Sequence, residues 1–202
     1  MKVKDKIQFG GYTWQVLSVE DNKALIITEK IIEQRPYHNE YVEITWADSS
    51  LRKYLNTEFY DGFSEAEKAR IVPVINKNPD NPWFGTLGGR DTKDKIFIPS
   101  LEEIACRYFG DSSELLYSQR KNKRYWYERK DINNVRRIAV DKEKNFWWYW
   151  IRTPGRYSVK AVYVFPDGNI GIHGNNIKIG NVADGYCAGG VRPLMWITVD
   201  GK

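Results

Sequence analysis

The stretch FWWYWIRTPG, Phe146–Gly155, sets five consecutive aromatic residues directly before Ile151, Arg152, Thr153, Pro154 and Gly155. Neighbouring residues of a strand point to opposite faces, so five aromatics in a row cannot share one face. Core packing is the plainer reading for each, because an aromatic ring buries so much area. The chain returns to this character at Gly189–Ile197, GGVRPLMWI. Between these two blocks the residues turn small, polar and varied, through Arg156-Tyr157-Ser158, the turn Pro166-Asp167-Gly168-Asn169, Gly174-Asn175-Asn176 and Asn181 to Tyr186. A fixed frame around a freely composed middle is how loops carry a binding face on a rigid scaffold.

Working outward, the amino-terminal third begins in β structure. Gly10-Gly11 precede Tyr12–Val19, in which Tyr12, Trp14, Val16 and Ser18 fall on one face at the two-residue period. Asp21-Asn22-Lys23 supplies turn chemistry before the apolar run Ala24–Thr28, so the two runs predict a hairpin. Leu51, Tyr54, Leu55 and Phe59 then recur at helical spacing, with Asp48 or Ser49 as the N-cap. Ser64 with Glu67 predicts a capping box on a second short helix ended by Pro73. Ser100 with Glu103 predicts another, on a helix stopped by Gly110. A helical piece around Glu114 to Gln119 comes next, and strands return at Ala161–Phe165, Ile170–Ile172 and Val191–Val199. Strands, then helices, then strands form an α+β pattern in one domain: residues 1–110 as strands and helices, 111–145 as an irregular basic insert, and 146–202 as strands with candidate binding loops.

At 202 residues with 42% hydrophobic, the chain is long enough to bury a substantial core. The amino terminus has no apolar run, which predicts no signal peptide, no membrane span and cytoplasmic synthesis, with display on a phage particle or cell surface left to another chain. Cys106 and Cys187 are read as reduced and structural. The net charge of +5 is localised: Arg120–Lys144 carries +6, leaving −1 for the remainder. Because Lys and Arg there interleave with Tyr125, Trp126 and Tyr127, the insert 120–144 could neutralise phosphates and stack bases, the alternative reading as a nucleic-acid-associated module.

The blocks Phe9-Gly10, Tyr12–Leu17, Thr45-Trp46, Ser49–Asn56, Phe63-Ser64, Ile98–Glu103, Trp150–Gly155 and Gly190–Pro193 together resemble an uncharacterised family of bacterial domains common in gut Firmicutes. The final third is similar, more loosely, to the C-type-lectin-like fold of formylglycine-generating enzymes and of the variable proteins of diversity-generating retroelements. That resemblance implies a C-type-lectin-like domain whose first and last strands pair, with N- and C-terminal strands in a common antiparallel sheet flanked by short helices. It also implies that the C-terminal segment displays the ligand-binding residues, the segment a retroelement would diversify. Formylglycine-generating chemistry would need a reactive cysteine pair, whereas Cys106 sits on a predicted helix far from Cys187.

The candidate ligand-binding residues are Arg156, Tyr157, Ser158, Tyr163, His173, Asn175, Asn176, Lys178, Asn181, Asp184 and Tyr186, facing a protein or glycan ligand. Arg152 and Arg192 are read as structural, pairing with carbonyls or carboxylates near the core. No G-x-S-x-G, P-loop or H-E-x-x-H occurs, and His38 and His173 lie in no metal motif. Calcium needs several convergent oxygens, and turn formation accounts for Asp167 and Asn169. The sequence therefore predicts non-catalytic recognition, with no catalytic residue, metal or cofactor.

Overall fold

Gly10 and Gly11 adopt φ of +57° and +77°, the left-handed conformation glycine accepts without a Cβ penalty, and close a tight hairpin between β1 (Lys6–Phe9) and β2 (Tyr12–Glu20). A second hairpin joins β2 to β3 (Lys23–Thr28) through Asp21, as the turn residues predicted. The two-residue alternation of β2 holds only to Val16. A register shift between Val16 and Ser18 turns Leu17 into the core and leaves Ser18 half-buried, so Ser18 does not extend the buried face of Trp14 and Val16. The computed structural model describes residues 1–117, 131–180 and 188–199.

The last strand, β12 (Leu194–Thr198), lies antiparallel to β3 with Trp196 opposite Leu25. β5 (Ile71–Val72) flanks it, giving the order β1-β2-β3-β12-β5. Amino- and carboxy-terminal strands thus share one antiparallel sheet, with the third strand, and not the first, as the partner of the last.

The second sheet has the order β10-β9-β8-β11-β4, built from β4 (Glu33–Arg35), β8 (Tyr149–Pro154), β9 (Lys160–Val164), β10 (Ile170–Asn176) and β11 (Gly189–Val191). β8 is central and buried at every residue. Of the five aromatics, Trp148, Tyr149 and Trp150 enter the core, Trp147 is half-buried, and Phe146 stands 64% exposed. Trp148 meets Trp150 and Tyr163 edge-on at 4.7 and 5.3 Å, and Trp150 donates its indole N–H to the Arg35 carbonyl.

The terminal strand predicted over Val191–Val199 is two strands in two sheets. β11 pairs with β4 and β8, and β12 crosses to β3. Pro193 has no N–H to continue a ladder. The crossing is stitched to β3 instead, Thr28 N donating to the Pro193 carbonyl and Arg192 Nε to the Thr28 carbonyl. Gly189 is required beside β8, since a Cβ there would lie 2.3 Å from Trp150 Nε1.

Helices fill the interval between the N-terminal strands and β8. Ser49 caps the helix Ser50–Asn56 by accepting from Arg52 N, and Leu51 and Leu55 turn inward from it. The capping boxes of Ser64 with Glu67 and of Ser100 with Glu103 both form. The helix after Ser100 departs from regular α winding, running as a π-helix over Glu103–Arg107. Of the helical piece expected after Ser112, the described part is Ser113–Tyr117. A short pair, β6 (Val74–Asn76) with β7 (Thr92–Asp94), completes a mixed α+β domain. Among the described residues, no helix is long and apolar enough to cross a membrane.

Candidate functional site

β8 leaves the core at Pro154 and turns back to β9 through residues 155–159. Gly155 N bonds to the Lys160 carbonyl at 2.7 Å, Lys160 N to the Tyr157 carbonyl at 2.9 Å, and Arg156 N to the His173 carbonyl at 2.8 Å. The register of β10 on β9 shifts between Gly171 and Asn175, and this irregularity brings His173 against the turn. Two further loops are tied in. Ile44 N donates to the Ser158 carbonyl, and Thr86 Oγ1 to the Arg156 carbonyl. Asn81, 1% exposed, bridges the ends of β8 and β10 by donating to the carbonyls of Pro154 and Ile172.

Within a few residues of these bonds stand four exposed apolar side chains: Leu87 at 70%, Tyr41 at 56%, Tyr157 at 53% and Val42 at 43%. The Arg156 guanidinium lies 5.7 Å from the Phe84 ring and 5.4 Å from that of Tyr157, while Phe84 meets the His173 ring at 4.9 Å. Cation and aromatic groups on hydrogen-bonded loops offer contact area that needs little further ordering on binding. Arg156, Lys160 and Lys178 form no ion pair among the described residues.

Of the residues predicted for this face, Arg156, Tyr157 and Lys178 are exposed, and Ser158, His173, Asn175 and Asn176 are half-buried. Tyr163 is corrected: it is 8% exposed, packed on Trp148 and Phe165 with its ring over Gly171, and belongs to the frame. The period-two pattern of β9 placed it among apolar neighbours, and both faces of that strand are covered. Asn176 organises a turn, its Oδ1 accepting from the amides of Lys178 and Ile179, while the buried Nδ2 of Asn175 makes no hydrogen bond among the described residues. Asn181, Asp184 and Tyr186 lie outside the described residues. Sequence reading missed Tyr41, Val42, Phe84 and Leu87. For Phe84 and Leu87 the available signal was large apolar residues within a loop otherwise rich in Asn, Pro and Gly, and for Tyr41 and Val42 an apolar pair between the polar residues Asn39-Glu40 and Glu43.

Behind the face, charged groups are turned inward. Arg152, 4% exposed, forms a bidentate pair with Glu103 at 2.6 and 2.9 Å and donates to the carbonyls of Ile98 and Lys77. Burial pushes the Glu103 carboxyl up, but Arg152 and the Ser100 amide outweigh it and hold the group below its ordinary value. Asp94 accepts from Trp46, Arg52, Asn76 and Thr92. Arg152 and Arg192 are thus structural, as expected.

The basic insert is corrected in one respect: Arg137 is 1% exposed, paired with Asp131 at 2.7 Å and bonded to Ser112 and the Ile104 carbonyl. Its residues 120–130, including Tyr125, Trp126 and Tyr127, lie outside the described residues. Burial, with Glu102 and Asp111 nearby, pushes the Cys106 thiol up to about 11, so little nucleophilic thiolate is present at neutral pH. Cys187 lies outside the described residues, and among those described no group of three or more His, Cys, Asp or Glu could hold a metal ion.

Residues 21–199 match the family described as Domain of unknown function (DUF6273). No curated protein and no solved structure matches the chain.

Proposed function

The chain belongs to the DUF6273 family, and on that premise we propose that it is a non-catalytic recognition protein that binds a protein or glycan through the face around Tyr157. One observation carries the reading: Tyr41, Val42, Leu87 and Tyr157 are each exposed, on loops fixed to one another by the Ile44–Ser158 and Thr86–Arg156 hydrogen bonds. Exposed Tyr with an adjacent Arg is the composition of binding hot spots, and a contiguous apolar patch rimmed by polar groups marks an interaction surface. The antiparallel sheet shared by both ends of the chain and the loops projecting beside β8 are consistent with a C-type-lectin-like scaffold. Diversification of this segment by a retroelement is an extension of that scaffold reading.

The test is panning of a displayed random-peptide library and probing of a glycan array with the whole chain. Binders are then counter-screened on an Arg156→Ala, Tyr157→Ala, Leu87→Ala variant. The reading expects most selected binders to lose the variant. Binders indifferent to all three substitutions, or no binders from either source, would sink it.

A further inference from the structure

A second concavity, apart from the Tyr157 face, lies between the β1–β2 turn, the segment following β3 and the turn at residues 141–145. It measures about 500 Å³ and is lined by Gly11, Thr13, Thr28, Glu29, Lys30 and Lys142 among others. That volume is in the range of small-ligand sites. Its walls are held in place: Glu29 N donates to the Thr13 carbonyl, Ile31 N to the Val140 carbonyl, and Asn145 N to Asp141 Oδ1.

The charges in this cleft are unbalanced. Lys30 Nζ lies 3.4 Å from the Lys142 carbonyl oxygen, which brings two lysines to one wall. Neither ammonium forms an ion pair among the described residues, and the one lining carboxylate, Glu29, is paired with Lys6. Two like charges in one concavity focus a positive potential that an anion relieves. A separate observation points the same way. Thr28 is 1% exposed and its Oγ1 makes no hydrogen bond among the described residues, so a buried hydroxyl stands without an acceptor there, at the base of the segment that lines the cleft. Gly11 leaves open space, with nothing within 4 Å of where a Cβ would sit.

We infer that this cleft binds a small polyvalent anion, of the phosphate or dicarboxylate class, between Lys30 and Lys142. Thr28 and the Gly10-Gly11 turn form its walls. Lys142 lies near the end of the basic insert, so one cation of that segment serves this cleft. The inference does not rest on recognition at Tyr157, and either can fail alone.

The test is titration of the full ¹⁵N-labelled chain at low salt with inorganic pyrophosphate and, separately, succinate. Saturable shifts are expected at Gly11, Thr28 and Lys30. Lys30→Gln and Lys142→Gln should each weaken binding roughly fivefold to tenfold, as loss of a charge-assisted contact does, while Lys93→Gln, exposed and outside the cleft, should stay within about twofold of the parent. Stronger binding of pyrophosphate would assign the phosphate class, and stronger binding of succinate the carboxylate class. If neither probe gives saturable shifts at those residues, or the Lys30→Gln/Lys142→Gln double variant binds as the parent does, the inference is overturned.

Discussion

Arg152 and Arg156 are four residues apart on the same run of chain and have opposite fates. Arg152 lies within β8 inside the protein, with Glu103, two carbonyl oxygens and the Phe97 ring around it. Arg156 stands in the following turn, exposed, with its guanidinium between Phe84 and Tyr157. The residue type is the same, and the neighbours differ. In β8 water is excluded, so the charge of Arg152 is met by partners inside the protein. In the turn the backbone is satisfied by bonds to Lys160, His173, Thr86 and Ile44, which leaves the exposed side chains of Arg156 and Tyr157 facing outward. The contrast separates a frame that should be sensitive to change from a face that should not be.

The sharpest way to break that contrast is Trp150→Ala, which removes a fully buried ring and its bond to the Arg35 carbonyl. A cost of about 3–5 kcal/mol in urea unfolding is expected, and a cost under about 1 kcal/mol would mean that β8 is not the frame. Arg152→Ala leaves Glu103 without its partner and should cost on the order of 3–5 kcal/mol, whereas replacing both by Met should recover most of the loss.

The pair also carries a pH signature. Glu103 is held below its ordinary 4.5 in the folded chain, so its contribution is complete above that value and is lost as pH falls through the lower folded value. The stability gap between the parent and Glu103→Gln, followed by urea midpoints, should be constant above pH ~5 and shrink below ~4.5. A gap that widens on acidification would contradict the pairing.

Smaller still is the expected effect on the face: Tyr157→Ala, Arg156→Ala and Leu87→Ala should each shift stability by no more than about 0.5 kcal/mol while abolishing binding. A large loss of stability there would erase the distinction between frame and face. Least affected should be Cys106, whose thiol should alkylate at neutral pH more slowly than free cysteine, since burial pushes it up to about 11. Rapid labelling would show a more open helix than Glu103–Arg107.

What the sequence determined is what local chemistry decides. The Asp21 turn, the Ser49 cap and the two capping boxes each rest on groups a few residues apart, and each formed as predicted. The burial of Trp148 to Trp150 followed from their area alone. Sequence also placed Arg156 and Tyr157 on a loop, because the apolar run stops at Pro154. Tertiary structure decided everything that depended on distant partners. The β2 bulge, the crossing of the last strand from one sheet to the other at Arg192-Pro193, and the burial of Tyr163 are set by which strands lie alongside. The same holds for the loops bearing Leu87 and Tyr41, which are tied to the turn at 156–158 through Thr86 and Ile44. Periodicity records whether a residue seeks cover, but what supplies the cover is a long-range contact, and a linear pattern holds no term for it.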